Sequence, residues 1–105
     1  MPQPIGATVV WDDTLNKGTV ADISVPAGNG ATVIQWTCGP NVASFTITGL
    51  DSGEFNPSQS NANVTTFTTT DTNDTAGNYS YTVSATHTSG RTSSHDPRIE
   101  NGGGG

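Results

Sequence analysis

Residues 79–87 read Tyr-Ser-Tyr-Thr-Val-Ser-Ala-Thr-His, and this stretch decides the fold. Tyr79, Tyr81, Val83, Ala85 and His87 fall on one face, with Ser80, Thr82, Ser84 and Thr86 on the other. Successive side chains of extended backbone point to opposite sides, so a repeat of two marks a strand with one face against a core.

The same repeat recurs on both sides of this stretch. Upstream, Ile5, Ala7, Val9 and Trp11 alternate until Asp12-Asp13 ends the run. Asn16-Lys17-Gly18 reads as a turn, followed by a strand carrying Ala21, Ile23 and Val25. Pro26 and Gly28-Asn29-Gly30 form the next turn. Thr32, Ile34, Trp36 and Cys38 then share a face, as do Ala43, Phe45 and Ile47 after the Gly39-Pro40-Asn41 break. The longest loop spans 51–61, with Leu50 and Phe55 expected to tuck its ends against the core. Phe67 is the inward residue of a Thr-rich strand over 64–70, and residues 71–77 form a polar turn. Downstream, Ser89-Gly90 predicts a two-residue hairpin turn. Residues 91–99 return as a polar strand that Pro97 places at an edge, because proline cannot donate to a central ladder.

About seven strands with a turn signal roughly every ten residues predict an all-β fold, an antiparallel Greek-key β-sandwich. Composition agrees. Thr, Val and Ile together supply 31 of 105 residues, and these suit a pleated surface. One domain is expected over residues 1–100, with 101–105 as a flexible Gly-rich tail.

Charge and cysteine content exclude whole classes of function. Only 11% of residues are charged and the formal net charge is −6. A nucleic-acid binder would need clustered Lys and Arg, so no nucleic-acid partner is expected. No apolar run approaches the roughly 20 residues of a membrane helix, so no membrane insertion is expected. One cysteine permits neither an intrachain disulfide nor a Cys-based zinc site. Cys38 shares a face with Trp36 and reads as a small core residue. The first residues lack a basic segment followed by an apolar stretch, so a cytoplasmic location, or export by a route needing no signal peptide, is expected.

Two segments resemble known sandwich families. Val25-Pro26-Ala27-Gly28 followed by Ile34-Gln35-Trp36, and Ala76-Gly77-Asn78-Tyr79-Ser80-Tyr81, are similar in order and spacing to cupredoxins, the blue-copper sandwiches. The resemblance implies a copper cysteine where Val83 stands, an early histidine near Ala43 or Ser44, and a methionine near Arg91. Only His87 matches a ligand, so the resemblance is to a copper-free form. Asp74, Gly77 and Tyr79 also resemble the tyrosine corner of immunoglobulin-like domains, with Tyr81 in place of the cysteine and Trp36 as the core Trp. Either family implies display or adhesion by a disulfide-free module. Fold analogy alone does not establish that function.

Three constellations could carry chemistry. The turn Asp71-Thr72-Asn73-Asp74 clusters oxygens as calcium requires, although it lacks the EF-hand pattern. Trp11, at a strand end beside Asp12-Asp13, could stack on a sugar ring. His87 and His95 could form a metal or acid–base pair. The expected hairpin sets them opposite Thr92 and Ser84, apart from one another and without a carboxylate to orient them. No G-x-S-x-G elbow or phosphate-binding Gly loop is present.

The expectation is therefore a non-enzymatic binding or structural module without cofactor or metal. It would recognise a protein or surface glycan through loops 51–61 and 71–78. The alternative is a small-ligand binder, of calcium through Asp71, Asn73 and Asp74 or of carbohydrate through Trp11. Assembly with a second copy through the polar final strand is a further expectation.

Overall fold

A computed structural model of the chain describes residues 4–28, 30–60 and 62–102. Its strands are β1 (Ile5–Asp12), β2 (Lys17–Thr19), β3 (Ile23–Val25), β4 (Thr32–Cys38), β5 (Val42–Thr48), β6 (Phe55–Asn56), β7 (Thr66–Asp71), β8 (Gly77–Ser80), β9 (Thr82–His87), β10 (Thr92–His95) and β11 (Arg98–Asn101). The all-β sandwich read from the alternation is the fold. Among the described residues, no helix is long and apolar enough to cross a membrane.

One sheet has the order β2-β1-β4-β7-β6. Opposite it stand two three-stranded sheets, β10-β9-β5 and β3-β11-β8. These two run on into one another, because β8 leads into β9 through Tyr81 and β10 into β11 through Pro97. Tyr81 N donates to Pro97 O across the double break. Pro97 thus sits where a strand changes sheets, and the missing donor costs no ladder bond there.

The period-two faces hold except at Ala21 and Ala43, which are exposed while their neighbours Val20 and Val42 are buried, the second departure falling at the bulge between Val42 and Ser44. Val9, Trp11, Ile34, Trp36, Phe45, Ile47, Phe67, Tyr81, Val83 and Ala85 are all buried, and Leu50 and Phe55 anchor the long loop as expected. Cys38 is half-buried against this core, and burial pushes its thiol pKa up, which keeps it a protonated packing group.

Pairing differs from expectation in four places. First, the sheets are mixed: β1 runs parallel to β4, with Ala7 opposite Trp36, and β3 runs parallel to β11, with Ile23 opposite Ile99. Alternation reveals which face is buried and says nothing of a neighbour's direction. Second, Lys17 and Gly18 belong to β2, the turn lying one step earlier around Asn16 with its left-handed φ of 54°. Third, the hairpin after β9 closes from His87 to Arg91, with Gly90 at φ 98°, and this three-residue loop sets Thr92 against Thr86 and His95 against Val83. Fourth, β11 is an interior strand and extends to Asn101, which is buried, while Gly102 N donates to Val25 O. The expected tail therefore loses Asn101 and Gly102 to the fold, and residues 103–105 lie outside the described residues.

Gly18 is required by close packing. A Cβ built there would lie 2.3 Å from the Cβ of Ala85, and Gly18 N donates to Ser93 Oγ at 2.8 Å. Gly18→Ala is expected to cost about 2–3 kcal/mol, as overpacking does, and to lower the Tm by roughly 10 °C. Thermal unfolding checks this, and adding Ala85→Gly should recover part of the loss.

Candidate functional site

The two loops expected to carry recognition meet at one end of the sandwich, and Glu54 is what joins them. Its carboxylate is buried although it belongs to one of only two glutamates in the chain. Oε1 accepts from Thr72 Oγ1 at 3.2 Å. Oε2 accepts from the amides of Asp74 (3.1 Å) and Thr75 (3.3 Å) and from Asn101 Nδ2 (3.0 Å). Thr72 N also donates to Glu54 O. A carboxylate with several donors is well solvated by the protein itself, which is how a charge survives out of water.

Asp71 lies beside this knot at the end of β7 and is fully buried. Its Oδ1 accepts from Asn73 N and Asn101 Nδ2, both at 2.9 Å, while Oδ2 and Asn101 Oδ1 have no hydrogen-bond partner among the described residues. Burial pushes the Asp71 carboxyl above its ordinary pKa. The bonds from Asn101 and Asn73 oppose that shift, and the charges of Glu54 and Asp74 add to it. Asn73 is also buried, holds a φ of 56° that asparagine tolerates, and donates from Nδ2 to Pro26 O at 3.0 Å. Asp74 is exposed.

The four-residue turn therefore does not converge its oxygens on one point. Asp71 and Asn73 face inward and are engaged with the protein, and Asp74 faces water. Calcium takes six to eight oxygens, and among the described residues no three His, Cys, Asp or Glu side chains gather as a metal site would need.

The Asp71 environment gives a pH dependence of unusual sign. A carboxyl whose folded pKa lies above its unfolded value binds its proton more tightly when folded. Its contribution to stability therefore improves as pH falls from neutral through the raised folded value, and is complete below the unfolded value of about 3.9. Urea unfolding between pH 7 and pH 4 should show this gain, and Asp71→Asn should abolish it while raising stability at pH 7.

Trp11 is placed differently from a sugar platform. Its ring is buried, with the Arg91 guanidinium carbon 5.4 Å above its centroid and the His87 ring edge-on at 4.9 Å. Its Nε1 has no hydrogen-bond partner among the described residues. A sugar could stack there only after displacing Arg91, which also contacts Asn16 Oδ1 and Ser89 Oγ.

The two histidines are engaged separately. His87 Nδ1 accepts from Ser89 N at 3.0 Å, and His95 Nε2 lies 3.3 Å from Val20 O. The residues that sequence reasoning missed are Glu54 and Asn101. The visible signal was a glutamate next to the core-anchoring Phe55 in a chain poor in charge. Nothing local marks Asn101.

No protein-family model matches the chain, and no curated protein matches it.

Proposed function

We propose that this protein is a non-enzymatic β-sandwich binding module that recognises a protein or surface glycan through the joined loops at the Glu54 end. The observation that carries this reading is the Glu54 knot. It holds Asp74 and Thr75 against the 51–56 segment, so that exposed Asp51, Ser52, Gly53, Asp74 and Thr75 belong to one surface. A surface fixed before contact loses less conformational freedom on binding. Recognition from loops on a rigid sheet scaffold is the common arrangement in sandwiches. The engagement of both histidines with structural partners also favours binding over turnover.

Within the sandwich class, we favour the copper-free blue-copper-like relationship over the immunoglobulin-like one. Trp36 and Tyr81, the ends of the two resembling segments, meet in the core, where Trp36 Nε1 donates to Tyr81 Oη at 3.1 Å. The parallel β1–β4 and β3–β11 pairings depart from the two antiparallel sheets of an immunoglobulin constant domain. Tyr79 does make a tyrosine-corner contact, its hydroxyl donating to Thr75 O at 3.0 Å, but that bond spans four residues and does not fix strand order.

The test is a binding screen of the intact chain against a glycan panel and displayed surface proteins, repeated with variants. Ser52→Arg and Thr75→Arg should weaken the selected interaction at least tenfold, and Gln35→Arg, exposed on β4, should leave it unchanged. Equal loss in all three variants, or a turnover abolished by His87→Ala, would overturn the proposal.

A further inference from the structure

A groove of about 440 Å3 runs along β1 on the side away from β4, lined by Ile5, Ala7, Val10, Val20, Ala21 and Ile23 among others. Its two rims are open strand edges. β2 pairs with β1 only from Val10 to Asp12, and beyond Thr19 the chain splays away toward the other sheet. Val9 O accepts from Gly39 N on the β4 side, so by the alternation of extended backbone the N–H and C=O of Thr8 and Gly6 address the opposite, unpaired edge. Across the groove, β3 ends its own sheet. Val25 O accepts from Gly102 N on the β11 side, which turns the Ser24 backbone outward to the groove.

An apolar floor between two rows of unpaired backbone donors and acceptors is complementary to one kind of occupant, an extended strand. Charge narrows it further. The chain carries −6, and among the described residues the one formal charge lining the groove is Asp22, 3.8 Å from Arg98. A second copy would bring a like charge of the same size, which opposes association, whereas a cationic segment is drawn in. Of the polar final strand, β11 is interior, while β10 ends its own sheet with the Ser93 hydroxyl taken by Gly18 N.

We propose that this groove is a strand-acceptor site. It takes an extended peptide segment with apolar residues at alternate positions and net positive charge, paired through its backbone to Gly6 and Thr8. This surface is separate from the Glu54 end and does not depend on the function assigned to that end.

The probe is a short synthetic peptide of alternating Val and Thr with Lys at both ends. Added to the intact protein, it should bind and protect the Gly6, Thr8 and Ser24 amides from hydrogen exchange. The same peptide N-methylated along one edge should bind at least tenfold more weakly. Thr8→Pro should give a similar loss with an unchanged Tm, because proline is tolerated at a strand edge and removes only the outward donor. Three results would overturn the proposal: no protection at millimolar peptide, equal binding of the N-methylated peptide, or equal binding of a counterpart ending in Glu. Self-association that protects the same amides without peptide would also overturn it, by making a second copy the occupant.

Discussion

Trp36→Ala is expected to destabilise the protein by about 3–5 kcal/mol, the usual range for deleting a large buried aromatic. Domains of this kind have roughly 5–15 kcal/mol in total, so the variant should be largely unfolded in moderate urea. Trp36 has no exposed surface. Its ring lies 5.7 Å from Phe67 and 5.6 Å from Tyr81, the latter nearly edge-on, so it binds the β4–β7 layer to the opposite one. Its Nε1 also donates to Tyr81 Oη. That phenol is buried, which pushes its pKa up to about 12 despite the opposing bond from Trp36, so it stays protonated over the whole accessible pH range. Tyr81→Phe keeps the ring and leaves the indole N–H without its acceptor, at an expected cost of about 1–3 kcal/mol. A double-mutant cycle with Trp36→Phe, read by urea unfolding, isolates the bond. The two losses should be less than additive, since either change alone already breaks the pair.

Glu54→Ala is expected to cost about 2–4 kcal/mol, from the penalty for leaving buried donors unpaired, and to act locally as well as globally. Asn101 Nδ2 keeps only Asp71, and Thr72 Oγ1 and the amides of Asp74 and Thr75 lose their acceptor. The Asp74 and Thr75 amides should then exchange with solvent much faster while the β4 and β9 amides stay protected. Glu54→Gln is the informative companion. It retains one oxygen and places an amide among donors, so it should recover only part of the loss. If both variants behave as wild type in amide exchange, the knot does not hold the loops together.

Most of the alternating strands were readable residue by residue, Ala21 and Ala43 excepted, because periodicity does not mark where a strand begins or bulges. Trp36, Phe45, Phe67 and Tyr81 point inward because each sits in a run whose polar and apolar residues take turns. Strand neighbours were not readable, since β1 presents the same inward face whether β4 runs with it or against it. The Lys17-Gly18 misreading has a related cause. Asn-Lys-Gly carries turn chemistry, but Gly18 is there because Ala85 leaves no room for a Cβ. At the candidate site, Asp71, Asn73 and Asp74 stood out as a polar run, yet the burial of Asp71 and Asn73 was hidden. It depends on Glu54 and Asn101, residues from distant parts of the chain that meet only in the folded molecule. Trp11 looked available because it ends a strand, and Arg91 and His87 arrive over it from a hairpin some 80 residues later.

The parallel pairing of β3 with β11 also sets a timetable. Ile23 must wait for Ile99, and among the described residues β11 is the only sheet neighbour that β3 has. Contacts between such distant residues close the longest loops and form slowly. On a ribosome, Ile23 and Val25 lack this partner until β11 has emerged, and any nascent chain arrested before Arg98 carries an uncapped apolar strand. The interval before β11 pairs with β3 is when aggregation through this strand competes.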